Sequence, residues 1–103
     1  MLDTTLSRGR KDGSVVGFAS LVFGEDGVAS DEYSVSLGYG NDVTGWAAYA
    51  EGDENVASGD MSHAEGDSNV AAGIGAHAEG IGNEANGDQS HAEGYGNIAN
   101  GHN

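Results

Sequence analysis

The sequence predicts an all-β fold, a solenoid of fourteen-residue turns with two short strands in each turn, and three observations predict it. A five-residue motif recurs at a fixed interval: Ser62-His63-Ala64-Glu65-Gly66 returns as Ala76-His77-Ala78-Glu79-Gly80 and as Ser90-His91-Ala92-Glu93-Gly94. Gly and Asn, which favour corners, hold set places in the units. Between them, small and larger side chains alternate with the period of two that belongs to strands. A fixed period changes what composition means. The 103 residues include 19 Gly, no Pro, no Cys, and 17 acidic against 3 basic side chains. Without register such a mixture reads as disorder. In register it reads as corners around a narrow interior.

The elements follow in chain order. Residues 1–5 are a leader, and unit 6–19 opens on Leu6-Ser7-Arg8-Gly9-Arg10, where the pattern is lost, so it is expected to be a degenerate capping turn. Residues 20–103 are expected to form a six-turn roll, a fragment of a longer fibre. Its first strands are Ser20-Leu21-Val22-Phe23-Gly24, Ser34-Val35-Ser36-Leu37-Gly38, Ala48-Tyr49-Ala50-Glu51-Gly52 and the three His-Ala-Glu motifs. The third position points one way and holds Val22, Ser36, Ala50, Ala64, Ala78 and Ala92. Seven residues on, a second strand carries Ala29, Val43, Ala57, Ala71, Ala85 and Ala99. With only small residues on both, two walls close into a roll whose interior is Val22, Ala50, Ala57, Ala64, Ala71, Ala78, Ala85, Ala92 and Ala99. Both strands are expected to be about five residues long and to pair between turns at ~4.8 Å. Asn41, Asn55, Asn69, Asn83 and Asn97, and the glycines Gly17, Gly45, Gly59, Gly73, Gly87 and Gly101, are expected at corners because Asn and Gly tolerate left-handed backbone. Ala and Glu also favour helix, but Gly interrupts the chain too often for one.

Composition and motif exclude several functions. A formal charge of -14, with Arg8, Arg10 and Lys11 all near the N-terminus, disfavours nucleic acid as a partner. No apolar run approaches the ~20 residues of a membrane span, and without Cys there is no disulfide framework. His-Ala-Glu-Gly lacks the second His of a zinc hydrolase helix, and neither a phosphate-binding loop nor a calcium-binding Gly-Gly-x-Gly-x-Asp repeat is present. Identical rungs on a narrow roll make flat walls rather than a pocket, so no enzyme is expected.

With its strand motif and the small-x-Gly that follows, the chain resembles the head domain of trimeric autotransporter adhesins, the YadA-like family. Ser34-Val35-Ser36-Leu37-Gly38 is the nearest match, and the likeness covers roughly residues 20 to 103. Similar Ser-His-Ala-Glu-Gly repeats are a feature of phage and prophage tail fibre proteins. The resemblance implies a left-handed parallel β-roll, three chains packed side by side, and an extracellular place on a bacterial cell surface or a phage tail. It also implies attachment to a host-surface protein or glycan.

The second and fourth strand positions face away from the interior, and there the residues change along the chain. Leu21/Phe23 and Val35/Leu37 give way to Tyr49/Glu51, then His63/Glu65, His77/Glu79 and His91/Glu93. An exposed apolar stripe marks an interface, and covering it is worth ~25 cal/mol per Å². Periodicity leaves two-fold and three-fold symmetry open; the resemblance implies a homotrimer with Leu21, Phe23, Val35, Leu37, Tyr49, His63, Glu65, His77, Glu79, His91 and Glu93 at its interface. Three readings of the polar rungs stay open. His and Glu hydrogen-bond between chains, the rungs face solvent, or His63, His77 or His91 from three chains converge on an axial metal or anion. No other cofactor is indicated. Tyr39, Trp46 and Tyr95, with Phe18, Ile74 and Ile81, fall at corners and are candidates for contact with a partner. A rigid spacer that binds nothing, and a metal-stabilised His/Glu module, are the alternatives to attachment.

Overall fold

The computed structural model describes residues 6–10, as backbone, and residues 16–101. The strands in chain order are β1 (Leu6–Arg10), β2 (Leu21–Ala29), β3 (Val35–Tyr39), β4 (Asp42–Val43), β5 (Tyr49–Asp53), β6 (Val56–Ala57), β7 (His63–Asp67), β8 (Val70–Ala71), β9 (His77–Ile81), β10 (Glu84–Ala85), β11 (His91–Tyr95) and β12 (Ile98–Ala99). Every pairing is parallel, and there is no helix among the described residues. The long strands β2, β3, β5, β7, β9 and β11 make one wall and the short strands β4, β6, β8, β10 and β12 the other, with β2 serving both. Like residues therefore sit on like: His63 beside His77 beside His91, Glu65 beside Glu79 beside Glu93. The result is a parallel β-solenoid of about six turns, 42 Å long and 16 Å thick.

The two strands of a turn are unequal. Five residues suffice for the first, but the second pairs over two residues only, against the expected five. The chain leaves the short wall early because the residue after the small one already turns toward the corner. β1 lies beside β2 one residue out of the register that later turns keep from Leu6 to Arg8, and slips further at Arg10.

Val22, Ala29, Val43, Ala50, Ala57, Ala64, Ala71, Ala78 and Ala85 are fully buried, Ala92 nearly so, and Ala99 partly. Ser20, Ser34, Ala48, Ser62, Ala76 and Ser90, at the first strand position, are buried as well. Alternation alone assigns this position to the interior only as strand; the corner before it supplies the rest of the cover. Ser20 and Ser34 both donate to the Asp31 carbonyl at 2.7 Å, and Ser90 donates to the Gly87 carbonyl at 2.6 Å. Ser62, between Ala48 and Ala76, has a buried hydroxyl with no hydrogen bond.

The asparagines are not left-handed corner residues. Asn41, Asn55, Asn69, Asn83 and Asn97 all lack positive φ, and the first four have no exposed surface. Each side chain works as a connector. The Asn55 amide nitrogen donates to the Glu51 carbonyl (2.8 Å) and across to the Gly66 carbonyl of the next turn (2.9 Å). Its oxygen accepts the Asn69 backbone N–H (2.9 Å) and side-chain amide (3.1 Å). The same set recurs at Asn41 and Asn69, and at Asn83 all but the bond from the next side-chain amide. The ladder starts at Asn41 because Gly27 holds the place one turn earlier, where a Cβ would meet Ser36 Oγ and Val22 Cγ1.

Left-handed backbone lies elsewhere. One such position is Asp26, Gly40, Glu54, Ser68, Gly82 and Gly96; a second is Ala19, Tyr33, Ala47, Met61, Gly75 and Gln89; a third, Gly in every case, is Gly24, Gly38, Gly52, Gly66, Gly80 and Gly94. Gly45, Gly59, Gly73 and Gly87 are instead required by close approach: a Cβ on any of them would stand 2.1 Å from the carbonyl oxygen of the equivalent Gly one turn on.

Two pairs of substitutions test these assignments by urea denaturation. Gly66→Ala places a Cβ 2.2 Å from the Gly80 oxygen at φ +110° and is expected to cost more than ~3 kcal/mol. Gly82→Ala meets nothing and is expected to cost only the left-handed penalty of ~1–2 kcal/mol. Asn69→Ala strands several buried groups at ~1–3 kcal/mol each, so a loss above ~3 kcal/mol is expected, whereas Ser62→Ala removes an unsatisfied hydroxyl and is expected to raise stability by ~1 kcal/mol.

Candidate functional site

The outward face of the long-strand wall carries the second and fourth positions of each strand. Leu21, Val35, Leu37 and Tyr49 are half-buried there, and Phe23 is 52% exposed. Downstream, parallel in-register pairing stacks the imidazoles. The His63 and His77 rings are 4.7 Å apart and 2° from parallel; His77 and His91 are 4.6 Å apart at 9°. Tyr49 meets His63 edge to face at 4.8 Å.

Carboxylates interleave with the rings. Glu65 Oε1 lies 3.7 Å from His63 Nε2 and 3.5 Å from His77 Nε2, and Glu79 Oε1 lies 3.7 Å from His77 Nε2 and 3.6 Å from His91 Nε2. Glu93 closes the series at 3.5 Å from His91. These are ion-pair distances beyond the 2.7–3.2 Å of a good hydrogen bond. The Nε2 atoms of His63 and His77 are sealed from solvent and have no hydrogen-bond partner, although about a third of each side chain is exposed. One chain thus brings together two sets of potential ligands, His63/Glu65/His77 and His77/Glu79/His91, with all atoms of each set within 4.8 Å of one another.

Burial raises the Tyr49 pKa above its ordinary value, helped by the charge of Glu51, the hydrogen bond to it, and the charge of Glu65.

The corner residues divide between two edges of the roll. Trp46 belongs to a zigzag in which Phe18 and Tyr33 sit 6.3 Å apart and Tyr33 and Trp46 5.8 Å, both edge to face. Met61 and Ile74 carry the strip over the next two turns: the Met61 N–H bonds to the Trp46 carbonyl, and Ile74 holds the register position of Trp46. All five are at least 40% exposed. Tyr33 and Met61 are absent from the sequence-based candidates because the bulky residue alternates between two adjacent corner positions. Each turn from Phe18 to Ile74 nevertheless has one, and that regularity is the available signal. Tyr39, Ile81 and Tyr95 lie on the other edge and are exposed. Tyr39 borders a shallow hollow of about 280 Å³ with Asp26, Asp42 and Glu54.

The fold defines the class, a parallel β-solenoid repeat protein. No family model, curated protein or solved structure matches the chain. No helix among the described residues is long and apolar enough to cross a membrane.

Tyr49 supplies a pH test. The folded state holds the phenolic proton more tightly than the unfolded chain, so its contribution is present below about pH 10 and lost as pH rises through the higher folded value. Melting scans from pH 9 to 11.5 are expected to show a steeper alkaline decline for wild type than for Tyr49→Phe; equal slopes would contradict the assignment.

Proposed function

We propose that the chain is a self-associating, non-enzymatic segment of an extracellular attachment fibre, built as a homotrimer of left-handed rolls. The observation that carries this reading is the outward face of the long-strand wall, where Leu21, Phe23, Val35 and Leu37 line up over two adjacent rungs and stay half-exposed or exposed. On a chain of charge -14, such a stripe is expensive to leave wet. The small-residue interior contributes little apolar area, so packing of that face against further copies supplies what the roll lacks. Three-fold packing is what the resemblance to YadA-like heads and phage tail fibres implies. Attachment then falls to surfaces left outside, and the Phe18–Tyr33–Trp46–Met61–Ile74 edge has the aromatic, exposed character of a contact for a host-surface protein or glycan.

Sedimentation equilibrium is expected to give three times the chain mass, and Leu37→Asp is expected to give a folded monomer; a folded wild-type monomer would refute the assembly. The assembled protein is expected to bind host cells or a glycan array, with Trp46→Ala reducing binding at least tenfold. A trimer that binds neither would be a spacer.

A further inference from the structure

We infer that a single chain binds one transition-metal ion of the zinc type on its His/Glu ladder, without needing a partner subunit. The distances point to this. Imidazole and carboxylate held 3.5–3.7 Å apart are too far for the ~2.9 Å hydrogen bond they would make if a proton alone joined them. Zinc takes imidazole nitrogen and carboxylate oxygen at about 2.0–2.2 Å in a tetrahedron, which puts neighbouring ligand atoms about 3.3–3.5 Å apart. The ladder spacing is within a few tenths of an ångström of that.

The nitrogens themselves are the second observation. His63 Nε2 and His77 Nε2 are sealed by their neighbours and lack any hydrogen-bond partner, while each faces Glu65 Oε1. Where that nitrogen carries no proton, its lone pair and the carboxylate repel each other unless a cation sits between them. Two imidazoles and one carboxylate suit zinc and its neighbours rather than calcium or magnesium, which take oxygen. The chain's charge of -14 concentrates cations at its surface.

Geometry also sets what binding must change. The stacked rings hold their Nε2 atoms about one rung apart, wider than tetrahedral ligands allow, so an ion shared by two His turns both rings out of parallel. Their partial exposure leaves room for that rotation and for water in the remaining position. His77 Nε2 belongs to both ligand sets and serves one ion at a time. A single chain therefore holds one three-ligand ion, in either set.

The test is equilibrium dialysis and calorimetry of the purified protein with Zn²⁺ at pH 7.5, with calcium present as competitor. One ion per chain is expected. His63→Gln and His91→Gln each leave one complete set and are expected to keep that ion, whereas His77→Gln breaks both and is expected to weaken binding by about 100-fold. Unchanged binding in His77→Gln, displacement by calcium, or one ion per three chains would overturn the proposal. Should His77→Gln fail to fold by circular dichroism, NMR of the wild type decides: zinc is expected to shift the His77 ring protons together with those of His63 or His91, and binding that leaves His77 unmoved overturns it equally.

Discussion

The buried asparagine ladder is the constraint on which the rest of the solenoid depends. A narrow roll with a core of Ala has little apolar area with which to hold its turns in line. Each Asn from Asn41 to Asn83 ties the carbonyl four residues before it to the next turn's Gly carbonyl and Asn backbone N–H. A slip of even one residue between turns would leave all of those groups buried and unpaired, at a cost well above that of a lost surface contact. Register is thus enforced from inside, by hydrogen bonds rather than by shape.

Strict register has a consequence for the outer surface. When every turn pairs with its neighbour residue for residue, any side chain repeated in the sequence becomes a ladder in space. Three repeats of His-Ala-Glu become three stacked imidazoles with carboxylates between them. The same rule turns one large apolar residue per turn into a continuous edge from Phe18 to Ile74. A solenoid multiplies whatever its repeat contains, and its chemistry is that of a row rather than of a pocket.

Backbone crowding explains the glycines as much as conformational freedom does. At Gly45, Gly59, Gly73 and Gly87 the stacked turns come so close that no side-chain carbon fits, whereas the left-handed corners accept Tyr33, Met61, Glu54 and Gln89. Corner residues with positive φ are thereby free to vary, and one of them is Tyr33, while Phe18 and Trp46 stand one residue before such a position. Conformational cost at a few non-Gly corners accompanies an exposed surface that differs from turn to turn.

The repeat by itself determined the strand period, the in-register stacking and the inward set of small residues, since one sequence period maps onto one turn and alternation maps onto two faces. It also put His63, His77 and His91 in one row with their glutamates. Only the tertiary structure decided the cross-section. The asparagines are read along the chain as corner residues because Asn does favour left-handed backbone. Their side chains are buried instead because the corner beside them is turned by the preceding residue, whatever its type. One sign was legible: Asp, abundant in this acidic chain and nearly as tolerant of such corners, never stands in that place, and Asp cannot donate. The short second strand, the buried first position and the pairing of Tyr33 with Trp46 depend on which way the backbone bends at positions that accept almost any residue, so the identity of those residues carries no record of it.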